Sequence, residues 1–280
     1  MEKKSKVVSK RLQKQLNELV SNRQYDEAIQ LLEPIARKGN ADAQYKMGRL
    51  LYKKMTYTGA RFVLEDVAYW MKKKKQQAVC PEDYPDTNQM IYWYEEAAKQ
   101  GHVKAIVELA DWYIPFSCDN SQVGKIIKQS PSFALKCDLE KALSLYTQAL
   151  DAGDESFFDT LKASSLLHSR HVPKEIKDKI VDIFYDRAKK GSWRAANSIF
   201  KIIETKLRFP EHKPYYDIEI NEHELLHADW FRLLLDYEAE CEKEEKYSGT
   251  NALRLLSDLA ENGNQEALNM LTDIGMKTKG

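Results

Sequence analysis

A chain of 280 residues with 43% hydrophobic content is long enough to bury one large core or two smaller ones, which sets intrinsic disorder aside. Forty-three basic residues balance forty-three acidic ones, so no long-range field of either sign draws in nucleic acid or an anionic membrane. A mean hydropathy of −0.60, with no apolar run of bilayer length, predicts no membrane insertion.

Residues 1–22 are predicted to form an N-terminal amphipathic capping helix. The segment is basic but lacks a continuous apolar core of the secretory type, and Val8, Leu12, Leu16 and Leu19 recur at helical spacing. With four cysteines and no CxxC pair, this predicts a reduced, cytoplasmic setting.

The first repeat unit is expected at 25–54. Its stretch EPIARKGNADAQYKMGRLLY (33–52) matches YEEAAKQGHVKAIVELADWY (94–113) in the second unit, 88–115. Both read Ala, Gly, Ala, then Met or Leu: Ala36, Gly39, Ala43, Met47 and Ala98, Gly101, Ala105, Leu109. A third unit, 138–168, keeps the glycine but carries Leu150, Gly153, Phe157 and Leu161. The fourth, 174–206, restores the pattern as Ala188, Gly191, Ala195 and Ile199, and the fifth, 222–277, as Ala260, Gly263, Ala267 and Leu271. Insertions separate the units near 55–87, 116–136 and 207–221. The basic run Lys72–Lys75 in the first insertion is read as a solvated helix end.

Each repeat position has a physical reason. A glycine just past a helix end takes the left-handed conformation that other residues adopt only with strain. The residues after it are Asn40, His102, Asp154, Ser192 and Asn264. Four of those five are favoured N-caps for the next helix. Small alanines suit the close approach of two antiparallel helices, so the bulk of Phe157 predicts a local distortion in the third unit. Pro34 is expected inside a helix, where it removes one hydrogen bond and bends the rod.

These residues resemble Sel1-like repeats, relatives of the tetratricopeptide repeat, from about Tyr25 to about Met276. The resemblance implies an all-α fold, an α-solenoid of stacked helical hairpins in a right-handed superhelix, residues 23–280, with irregular insertions. The glycine-rich loop that usually joins Sel1 units is missing after Tyr52 and after Tyr113. It also implies a non-catalytic protein–protein interaction module, an adaptor or regulator. Some small bacterial members accompany toxins as antidotes, so a cytoplasmic immunity protein is the first alternative. Aromatic residues of the insertions, Trp70, Tyr84, Tyr215 and Tyr216, are free to touch a partner protein, whereas Tyr52, Trp93, Tyr94 and Tyr113 are expected in the core.

HELLH, His223 to His227, carries the second alternative, a zinc-dependent hydrolase. Two histidines four apart project from one side of a helix, with Glu224 between them as general base. Against it, the helix is expected to continue through ADWFRLLLDYEAE. Leu226, Trp230, Leu233, Leu234 and Tyr237 then form an apolar stripe that takes in both histidines or borders them. A third ligand would have to come from the acidic cluster Glu238, Glu240, Glu242, Glu244 and Glu245. No phosphate-binding glycine loop and no GxSxG elbow occurs, so no catalytic residue, metal or cofactor is assigned.

Overall fold

The computed structural model describes residues 10–70, 85–114, 137–159, 161–169, 171–208, 221–244, 246, 248 and 250–275. Among the described residues every regular element is a helix, as the 3.6-residue spacing of the apolar positions predicts. None of these helices is long and apolar enough to cross a membrane. The chain divides into two compact units, Met1–Phe157 and Phe158–Gly280.

The first unit holds α1 (Lys10–Ser21), α2 (Tyr25–Arg37), α3 (Ala41–Trp70), α4 (Pro85–Ala98), α5 (Val103–Tyr113) and α6 (Leu139–Asp151). Each packs on the next along the chain, so the core forms between sequence neighbours. Leu32, Met47, Tyr94 and Tyr146 are fully buried there, each such side chain contributing about 1.5–3 kcal/mol. Pro34 lies inside α2, and α3 runs without interruption from the first repeat unit into the predicted insertion as far as Trp70.

A short helix, α7 (Ser156–Asp159), straddles the division between the units. The second unit continues with α8 (Leu161–His168), α9 (Lys174–Lys189), α10 (Trp193–Arg208), α11 (Glu222–Leu226), α12 (Asp229–Lys243), α13 (Ala252–Glu261) and α14 (Gln265–Ile274). Here too helices pack on their chain neighbours, with α12 set against both α9 and α10. Phe184, Phe200 and Phe231 fill this core.

One turn recurs five times among the described residues. Gly39, Gly101, Gly153, Gly191 and Gly263 all have φ between 76° and 92°. After each, the next amide donates five residues back, as Asn40 N–H does to Ile35 O and Ser192 N–H to Arg187 O. That is the hydrogen bond of a Schellman motif, which only the left-handed residue makes reachable. The following helix is then capped by a side chain. Asn40 Oδ1 accepts from Ala43 N–H at 2.8 Å, Ser192 Oγ from Ala195 N–H at 3.3 Å and Asn264 Oδ1 from Ala267 N–H at 3.1 Å. The alanine that gives its N–H to the cap is fully buried at Ala43, Ala105, Ala195 and Ala267. Its small size lets the two helices of a hairpin meet.

His102 joins this series although imidazole is not a preferred cap. Its Nδ1 accepts from Ala105 N–H at 3.3 Å, while its ring stacks on Tyr45 with centroids 4.6 Å apart. Acceptance requires a neutral ring. Burial lowers the His102 pKa below its usual value, against the opposing pull of Asp42. A histidine with a depressed folded pKa contributes stability above its unfolded pKa, about 6.5, and loses it as pH falls through that window. His102→Asn is expected to keep the cap and remove this loss. Urea unfolding should show wild type falling behind the variant by about 1 kcal/mol between neutral pH and pH 5; parallel curves would refute it.

At Phe157 the third unit departs from the others in its cap. Phe157 is 1% exposed and lies on Tyr146 with ring centroids 4.5 Å apart. The cap shifts by one place, with Asp154 Oδ1 accepting from Ser156 N–H at 2.9 Å. The glycine turn itself is kept, with Gly153 at φ 86° and Asp154 N–H donating to Ala149 O, so the third unit differs in its cap alone.

Candidate functional site

HELLH does not lie on a helix that continues through ADWFRLLLDYEAE. Asn221 and Glu224 form a reciprocal capping box that opens α11, and the helix closes at Leu226 with His227 as its C-cap. Ala228 is extended, with φ −75° and ψ 123°, before α12 begins at Asp229. The expected single stripe is therefore split between two helices. In α11 the leucines Leu225 and Leu226 face the core, at 1% and 4% exposure. His223, Glu224 and His227 are all exposed, which corrects the expectation that the histidines sit on or beside an apolar stripe.

What meets them is Glu266, in the first turn of α14. Its Oε2 stands 3.2 Å from His223 Nδ1 and 3.8 Å from His227 Nε2. The two imidazoles meet edge to face, centroids 4.3 Å apart. One atom from each of His223, His227 and Glu266 falls within 4.8 Å of the other two. A second tie fixes the same junction, since Glu222 Oε2 accepts from Asn264 Nδ2 at 3.2 Å and Asn264 is itself the cap of α14. Two capped helix N-termini thus hold three donors together.

The residues expected to complete this site are placed differently. Glu238, in the acidic cluster considered as a source of ligand, is buried and accepts from Leu253 N–H at 2.9 Å and from the Thr250 hydroxyl at 3.4 Å. Burial raises its pKa. It serves the N-terminus of α13, whose own N-cap, Asn251, makes no side-chain cap bond. Glu224, the candidate base, has its Oε2 accepting from Asn221 N–H at 3.1 Å. The capping box engages that carboxylate.

Of the four aromatic residues expected at a partner surface, Trp70 is the last residue of α3. Tyr84, Tyr215 and Tyr216 lie outside the described residues, as do the insertion residues 71–84, 115–136 and 209–220. Of the repeat-position aromatics expected in the core, Trp93, Tyr94 and Tyr113 are buried, at 5%, 0% and 4% exposure, while Tyr52 is half-buried. One aromatic that sequence reasoning passed over is Tyr92, 51% exposed and held edge-on to Trp93 at 5.0 Å between centroids. Its neighbours in the repeat gave no reason to single it out. No protein-family model and no curated protein sequence matches the chain.

Proposed function

We propose that this protein is a non-catalytic interaction module, an adaptor or regulator of the Sel1-like type, whose hairpins stack as an α-solenoid and bind a partner protein in the cytoplasm. The observation that supports it is the fivefold recurrence of one glycine turn with a side-chain cap after it. Repeating one hairpin builds extended surface from a small local code, and repeat proteins use such surface for recognition. Tyr92 fits the role, because a large ring braced by a neighbouring ring loses little side-chain freedom on contact.

Affinity capture from native cytoplasm tests the proposal, comparing wild type with two variants. One carries alanine at Trp70, Tyr84, Tyr215 and Tyr216, and the other carries Tyr92→Ala. The expected result is one partner that rebinds purified wild type at one-to-one stoichiometry and binds either variant at least about tenfold more weakly. A toxin as that partner would make the protein its antidote. Failure of every captured protein to rebind in purified form overturns the proposal.

A further inference from the structure

The structure assigns to His223, His227 and Glu266 a surface site for a divalent transition-metal ion of the zinc class, clamping α11 to the first turn of α14. The donor set decides the class. Two imidazole nitrogens with one carboxylate oxygen suit zinc and its neighbours, whereas calcium and magnesium take oxygen ligands almost alone.

Distances agree with a small closure. Ligand atoms at zinc–ligand distances of about 2.0–2.2 Å stand roughly 3.3–3.5 Å apart around a tetrahedral ion. Glu266 Oε2 already lies 3.2 Å and 3.8 Å from the two facing nitrogens. All three donors fit within 4.8 Å of one another, so side-chain rotation alone closes the set. The backbone under them is fixed by the capping box of Asn221 and Glu224 and by the bond between Asn264 and Glu222. Binding therefore orders three side chains on a framework that is already in place, which is the arrangement that favours affinity.

The role is structural. Three protein ligands leave a fourth position open, but the one carboxylate placed by the motif to activate a water, that of Glu224, is occupied with its own helix N-terminus. Residues 223 and 266 belong to separate helices of the second unit. A metal bound only by the folded form stabilises it by mass action.

Metal-free full-length protein would be titrated with zinc by calorimetry, with cobalt as a coloured probe of tetrahedral geometry. His223→Ala, His227→Ala and Glu266→Gln would be tested alongside wild type. The three side chains are 69%, 62% and 49% exposed, so the variants keep the core intact, and circular dichroism verifies this. One equivalent bound per chain is expected, with a rise in Tm and affinity reduced at least about tenfold in every variant, the loss that disturbing even an outer partner of a metal site brings. Substoichiometric binding at about 100 µM zinc overturns the inference. So does undiminished binding by the His223→Ala/His227→Ala double variant, which would place the ion on other histidines. Unchanged affinity in Glu266→Gln removes the carboxylate and with it the three-ligand site.

Discussion

Gly48→Ala is expected to destabilise the first unit by about 2 kcal/mol, although alanine is the better helix former by about 1 kcal/mol. Gly48 lies inside α3, where the chain packs against α4. A methyl group there would stand 2.5 Å from Cε1, 2.6 Å from Cδ1 and 2.9 Å from Cζ of Tyr94. That ring is 0% exposed and has no open side into which to move. Its hydroxyl is buried without a hydrogen-bond partner, and burial pushes its pKa far upward, so it remains neutral. Chemical denaturation of Gly48→Ala, Tyr94→Leu and the double variant measures the clash. In the Tyr94→Leu background the same alanine should be neutral or stabilising, a coupling of about 1–3 kcal/mol. Added stability from Gly48→Ala alone would contradict the close approach. Gly191 provides the contrast, since nothing lies within 4 Å of a Cβ there and φ is 92°. Alanine at 191 costs about 1 kcal/mol through backbone strain, and no second substitution should rescue it.

At Glu238 the expected result depends on which property of the carboxylate is removed. Glu238→Ala leaves the Leu253 amide and the Thr250 hydroxyl without their acceptor in a buried place, a loss of about 2–3 kcal/mol. Glu238→Gln keeps an acceptor and discards the charge. Because burial raises the folded pKa above 4.5, the protonated form favours folding. The contribution is fully present below the unfolded pKa and is lost as pH rises through the folded one. Wild type therefore loses ground to Glu238→Gln as pH rises from about 4.5 toward neutrality. Unfolding curves at both ends of that window check the sign. A glutamine variant as unstable as the alanine variant at neutral pH would show that the charge itself is required at the N-terminus of α13.

The turns were legible in the sequence because all of their chemistry lies within a few residues. A left-handed glycine, the residue after it and an alanine three places on suffice to name the turn, and each lies where that reasoning puts it. His102 was the one cap not foreseen, since its suitability comes from a ring half-buried against Tyr45 that holds Nδ1 toward an amide. Contacts between distant residues were not legible. Nothing local in KMGRL indicates that the ring of Tyr94 will press on Gly48, and nothing in HELLH points to Glu266 on another helix. The break at Ala228 was hidden because the apolar spacing runs on across it, while the capping box that ends α11 so soon is a matter of backbone geometry. A helix ending at the basic run Lys72–Lys75 was legible in the first insertion, but its continuity with the repeat helix as one α3, Ala41–Trp70, was not. An insertion inferred from an interrupted repeat says where the repeat stops and nothing about whether a helix runs on across that point.

The five glycine turns also bear on how quickly the chain reaches its fold. Each is closed by hydrogen bonds that reach back no more than five residues, and the helices on either side then pack on their chain neighbours. Such short-range contacts are the ones that form early, and chains dominated by them fold fast. A segment spliced between two hairpins lengthens a single closure, and doubling that loop costs only about 0.6 kcal/mol. The hairpins can therefore condense one by one while the segments between them are free to vary in length and composition.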